Sequence, residues 1–246
     1  MMKKRSPFCL LVAALLAGSA ATAADLPNYL PAAPIADPLA PTFSWTGFYV
    51  GAHGGYSWGR DRTTEYFNGS NVVIGGPFKF NGNGVFGGIH AGGNYQYGSL
   101  VAGIEADADV AGVRGGFYDP PNLAAFNPGG VVRMRINAQG SLRGRLGFAL
   151  DRLLIYGTGG LALADIRYSY GNPTSGVTDK TSRVRSGYTV GAGLEYAVTD
   201  NLTSSIEYRY SDFGTYNYIS TAAFVGVTGG QRPRSNAVRV GLGYKF

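Results

Sequence analysis

The chain has a single cysteine, Cys9, and only two histidines, His53 and His90. With one thiol there is no intramolecular disulfide and no multi-cysteine metal site, and the function classes that need them are excluded. Past residue 23 no apolar run reaches the roughly 20 residues that a membrane-spanning helix needs. Charge is also scarce: Asp, Glu, Lys and Arg make up 15% of the chain, against about 25% in an ordinary soluble domain. The formal net charge is +6, and setting aside Lys3, Lys4 and Arg5 leaves 18 basic against 15 acidic residues. So small and dispersed an excess does not form the clustered basic face of a nucleic-acid binder.

Glycine and tyrosine are what the chain has in quantity, 39 and 17 residues respectively, in a composition that is 45% hydrophobic. Its start reads as an address. A basic "MMKKR" precedes the apolar "FCLLVAALLAGSA", and Ala21 and Ala23 stand at −3 and −1 of a cleavage site before Ala24. Residues 1–23 are therefore expected to be a cleaved signal peptide, and the chain exported. Cys9 lies inside that segment, whereas a lipid anchor would need its cysteine at the cleavage point. Residues 24–42 hold five prolines and no hydrophobic period, as in an extended arm on the periplasmic side.

From residue 43 onward the apolar residues recur with period two, the period of a strand with one apolar face. Phe48, Val50, Ala52, Tyr56 and Trp58 alternate with Tyr49, Gly51, His53 and Ser57. Val85, Ile89, Ala91, Tyr95 and Tyr97 alternate with His90, Asn94 and Gln96, and Leu100 to Ala108 alternate with Val101, Glu105, Asp107 and Asp109. The fourth run reads as one unbroken alternation. Met134, Ile136, Ala138, Leu142, Leu146 and Phe148 share a face, and Arg133, Arg135, Arg143 and Arg145 share the other. A fifth, 152–170, is apolar on both faces at its start. The sixth to eighth set Tyr188, Leu194 and Tyr196 against Glu195, Ile206, Tyr208 and Tyr210 against Glu207 and Arg209, and Val238, Val240, Leu242 and Tyr244 against Arg239 and Lys245.

Connections alternate in length: short at "YGS", "DR" and "TDN", long near 59–83, 110–132, 170–183 and 212–235. Three tight turns and four long loops on opposite ends predict an all-β, eight-stranded antiparallel transmembrane β-barrel over 43–246. A soluble sandwich shares the binary pattern. Strands of ten or more residues, and aromatics near strand ends (Trp45 and Phe148 among them), favour the membrane reading. The apolar face then meets lipid. Glu105, Asp107, Arg133, Arg135, Arg143, Arg145, Glu195, Glu207, Arg209 and Arg239 are expected to line the lumen, with Lys245 there or at the periplasmic rim. Eight strands leave an interior that side chains fill, so these charges should pair into a polar plug that holds some water.

"FSWTGFYVGAHGGYSWG", the preceding "ADLP", "GSLRGRLGFALDRLLIYGTGGLALA" at 140–164 and the ending "RVGLGYKF" resemble the alphaproteobacterial outer-membrane immunogenic proteins, which carry the outer-membrane β-barrel domain of small surface antigens. The resemblance implies an abundant barrel in the cell outer membrane that supports the envelope or serves as a surface antigen, sometimes porin-like. It implies no catalytic residues, and no haem motif of that family maps onto this chain. Phe246 resembles the terminal aromatic by which the barrel assembly machinery recognises its substrates.

The remaining chemistry reads as structural. His53 and His90 face inward, but hydrolysis needs a hydroxyl and an acid in hydrogen-bond geometry, and Ser57 and Ser99 are candidates only by presence. Glycine runs such as "GTGGLA" lack the lysine and the strand-to-helix context of a phosphate loop. Asp119-Pro120-Pro121, Arg232 and Arg234 fall in proposed external loops, where lipopolysaccharide phosphates are within reach. No enzyme activity, cofactor or metal is expected, and the partners are outer-membrane lipid, lipopolysaccharide and the assembly machinery. The alternatives are a narrow porin of low conductance and ligand or host-surface binding through the loops.

Overall fold

The structure, a computed structural model, describes residues 43–118, 130–171, 176–219 and 227–246. The segments read as signal peptide and arm, and Asp119-Pro120-Pro121, lie outside the described residues. Ten strands follow in order: β1 (Gly47–Phe67), β2 (Val73–Tyr97), β3 (Leu100–Tyr118), β4 (Val131–Leu150), β5 (Leu153–Gly171), β6 (Thr178–Ala197), β7 (Leu202–Asp212), β8 (Tyr216–Ile219), β9 (Val227–Gln231) and β10 (Arg234–Lys245). Each of β1 to β6 pairs antiparallel with the next, and β10 pairs with both β7 and β1. Eight strands thus close a ring with no free edge, which is the condition for a sheet to cross a bilayer. The short hairpin β8–β9 adds to residues 63–67 of β1, outside the ring's closing ladder.

Tight turns hold one end. Leu150 pairs with Leu153 across Asp151-Arg152, and Tyr97 with Leu100 across Gly98-Ser99. Two-residue hairpins require left-handed backbone, supplied by Asp151 at φ 52° and Gly98 at φ 58°. At the other end the strands run on well beyond a bilayer's thickness, so much of 59–83 is paired ladder rather than loop.

Side chains sort by face as a membrane requires. Leu146 is 71% exposed and Val110 76%, while the neighbouring Arg143 is 1% exposed. Such a distribution would be ruinous in water and is what lipid selects. The apolar belt begins near the tight turns with Phe48, Tyr95, Tyr97, Phe148, Tyr196 and Tyr244 and ends near Trp58, Tyr188 and Tyr208. Trp45, which the sequence suggests for this girdle, is instead 1% exposed. Its indole N–H donates to the Asp151 carbonyl at 3.0 Å, and with Phe43, Val101, Leu154 and Tyr156 it forms an apolar stopper inside the periplasmic mouth.

A second correction concerns β4. The alternation expected through Met134 to Phe148 is broken by β-bulges: pairing jumps between Val110 and Val113 on β3 and between Ile136 and Gln139 on β4. An extra residue in a strand shifts every later side chain to the other face. Above Asn137, Met134 and Ile136 therefore turn inward and are buried, while Arg133 and Arg135 turn outward and are exposed. Met134 and Ile136 join Phe80, Val113, Ile166, Tyr168, Tyr170 and Phe213 in a second apolar cluster, inside the external half of the ring.

Candidate functional site: a charged lumen

Between the two apolar clusters lies the charged layer. β3 contributes Glu105 and Asp107, β4 Arg143 and Arg145, β6 Glu195, β7 Glu207 and Arg209, and β10 Arg239; all eight are buried. Ladder register brings some of them together before any side chain reaches out, since Glu105 stands opposite Arg143 and Glu207 opposite Arg239.

Arg143 is the hub. Its guanidinium bonds Glu207 at 2.7 Å, Asp107 at 3.1 Å and the Thr158 hydroxyl at 3.0 Å, and it pairs with Glu105. Arg239 reaches Glu105 at 2.6 Å and Glu207 at 3.2 Å. Arg209 holds Asp107 at 2.8 Å, and Ser141 donates to the same carboxylate at 2.6 Å. Arg145 pairs with Glu195 and stacks over the Tyr156 ring at 3.8 Å, and Tyr49 donates its hydroxyl proton to Glu105 at 2.9 Å. Four guanidinium groups thus meet four carboxylates, so the layer carries no net charge. That balance matters, because an unpaired charge in a low-dielectric interior costs several kcal/mol.

Of the ten lumen residues expected from the sequence, the structure brings together these eight and places Arg133 and Arg135 outside, for the bulge reason given above. Lys245 sits at the periplasmic rim, its ammonium 4.4 Å from the Phe43 ring centre and donating to the Ser44 carbonyl. Phe246 is exposed beside Tyr244, with ring centres 5.3 Å apart, and its N–H donates to the Phe48 carbonyl at 2.9 Å.

Both histidines face inward, as their positions suggested. His53 Nε2 lies 2.6 Å from Asp109, which also accepts from Gln139 at 2.9 Å, and the two Nδ1 atoms of His53 and His90 are 3.1 Å apart, one serving as donor. Among the described residues no serine hydroxyl bonds either imidazole, so this is an acid–histidine pair without a nucleophile. Sequence reasoning missed Asp109 as the histidine's partner, although its place on the Glu105–Asp107–Asp109 face was the available signal. It also missed Asp61, buried near the external end, which accepts from Tyr168 and from the Arg232 N–H at 3.2 Å. Burial lifts the Asp61 carboxyl above its usual range, against those bonds.

Two cavities external to the charged layer, lined by Ser57, Phe213 and neighbouring strands, have about 20 Å³ each, room for roughly one water.

A closed eight-stranded ring with an apolar exterior, aromatic borders and a polar, paired interior defines an outer-membrane β-barrel protein. The family described as "Outer membrane protein beta-barrel domain" matches residues 10–246, and the chain belongs to it. It is 34% identical over 242 residues to the 31 kDa outer-membrane immunogenic protein of Brucella melitensis biotype 1, covering 96% of this chain and 97% of that one. The 25 kDa outer-membrane immunogenic protein of Brucella abortus biovar 1 is 33% identical over the full length of both chains. A 22 kDa outer membrane protein of Rhizobium leguminosarum bv. viciae is 34% identical over 85% of this chain and 82% of its own. Among solved structures, OprG of Pseudomonas aeruginosa shares the fold, with TM-score 0.51 at 12% identity over 83% of this chain and 98% of that one. The protein is an outer-membrane protein of the immunogenic outer-membrane protein family.

Proposed function

We propose that this protein is a structural, surface-exposed component of the outer membrane that supports envelope integrity, with a lumen closed to solutes. The observation that carries the reading is Arg143, 1% exposed at the centre of the ring and shared among Glu105, Asp107 and Glu207. A conducting lumen needs groups that bind a solute weakly enough to release it. Here every central charge is already satisfied by another protein charge, and apolar clusters cover the layer on both sides. A rigid, edge-free ring with an internal brace serves as a mechanical element of the bilayer. It needs no substrate, and no catalytic constellation is proposed.

The test is genetic. Loss of the protein is expected to sensitise cells to detergent and to chelators of divalent cations, with resistance restored by the wild-type chain. Unchanged sensitivity, together with impaired uptake of one small solute, would move the protein to the class of narrow porins.

A further inference from the structure

External to the apolar belt, the outward faces of β3 to β6 carry a groove of about 590 Å³ lined by Arg114, Arg133, Arg135, Arg167 and Lys180, with Ser169 and Ser182 beside them. The ladders fix the spacing. Arg114 stands opposite Arg135 and Arg135 opposite Arg167, so three guanidinium groups form one row across three neighbouring strands. In the next row Arg133 stands opposite Ser169, and Ser169 opposite Lys180.

Like charges directly opposite one another destabilise a sheet, and the neutralising partners are few. Asp165 pairs with Arg167 at 2.9 Å and accepts from Ser182 at 3.0 Å. Among the described residues Arg114, Arg133, Arg135 and Lys180 form no ion pair. The β4 bulge is what turns Arg133 and Arg135 outward to complete the rows. Set against the lumen, where each guanidinium meets a carboxylate, this surface holds a concentrated positive excess that a ligand of opposite charge would relieve.

Depth indicates which ligand. The last apolar outward residues below the groove are Val110, Ala138, Leu163 and, nearest to it on β6 opposite Asp165, the exposed Val184. Strands rise about 3.3 Å per residue at a tilt near 40°, so the arginine row stands roughly 10 Å above Leu163 and about 5 Å above Val184, just beyond the hydrocarbon edge. That is the level of phosphorylated headgroups rather than of acyl chains. Guanidinium forks match phosphate oxygens in geometry as well as charge.

We propose that this groove binds the phosphorylated sugar headgroup of an outer-leaflet glycolipid, the lipid A portion of lipopolysaccharide. Arg114, Arg135 and Arg167 hold one phosphate, and Arg133 and Lys180 hold a second anionic group. The assignment rests on the barrel's place in the outer membrane and is independent of whether the lumen conducts.

The experiment measures diphosphoryl lipid A binding to the folded, detergent-solubilised barrel by native mass spectrometry, with heat-modifiable gel mobility confirming the fold of each variant. Arg114→Gln/Arg135→Gln is expected to bind about tenfold or more weakly. Dephosphorylated lipid A should bind the wild type no better than that. Arg60→Gln/Arg62→Gln, which removes two external arginines from β1, should leave binding within about twofold. Arg135→Gln alone, with a smaller loss expected, serves if the double variant fails to insert. Four results would each overturn the proposal: unchanged affinity in the groove variants, equal loss in the β1 variant, displacement of the lipid by micromolar inorganic phosphate, or binding of a soluble polysulfated glycan in place of lipid A.

Discussion

Arg239 on β10 reaches across the lumen to Glu105 on β3, Nη2 to Oε1 at 2.6 Å, although the two residues are 134 apart in sequence. The contact skips β1 and β2, so the barrel is braced through its interior as well as around its wall. From this brace and the faces around it several outcomes follow.

Removing the hub should be costly, because it takes a charge partner from the buried Glu105, Asp107 and Glu207. Arg143→Met is expected to destabilise the folded barrel by about 3–5 kcal/mol. Arg133→Met, on the outward face of the same strand, should change stability by no more than about 0.5 kcal/mol. Urea unfolding in lipid vesicles, followed by heat-modifiable mobility, compares the two.

The bulge in β4 makes an opposite prediction for adjacent residues. Because Cys9 is the only cysteine, single-cysteine labelling has little background. Arg135→Cys should react with a membrane-impermeant maleimide on intact cells, and Met134→Cys should not. Unbroken alternation gives the reverse pattern.

Asp61 supplies a pH dependence. Its carboxyl is raised in the folded protein by burial, so folding binds its proton more tightly than the unfolded chain does. Stability from this group is therefore greatest at low pH and falls as pH rises through the raised value. Asp61→Asn keeps an acceptor for Tyr168 and removes the buried charge. It should raise the thermal midpoint at pH 7, and its advantage should shrink on acidification toward pH 4. A lower midpoint at pH 7 would contradict this.

Phe246 is proposed to be read by the barrel assembly machinery. Its ring is exposed against Tyr244 and only its backbone is tied, to Phe48, so Phe246→Ala should leave the finished barrel stable while lowering its yield in the outer membrane. Quantifying folded and unfolded forms in membrane fractions separates the two effects.

Much of the barrel was legible because lipid enforces period two wherever a strand crosses it: the exposed faces of β1, β2, β3, β6, β7 and β10 carry the residues that alternation assigns to them. Eight of the ten lumen charges could be placed for the same reason. The failures fall where that constraint ends. Arg133 and Arg135 were misplaced because a bulge at Asn137–Ala138 leaves no mark in hydrophobic periodicity. Trp45 looked like a girdle residue because an aromatic at a strand's start suits a membrane border as well as a plug; only its bond to Asp151 decides. The apolar cluster around Met134 and Tyr168 was hidden because, beyond the bilayer, the ring has its hydrophobic side within.

Whether the charged brace shuts the lumen is decided by single-channel recording of purified, folded protein in planar bilayers. The wild type is expected to show no steady conductance, with channel openings appearing only when the brace is cut, as in Glu105→Ala/Arg239→Ala. A stable, reproducible conductance from the wild-type barrel would contradict it.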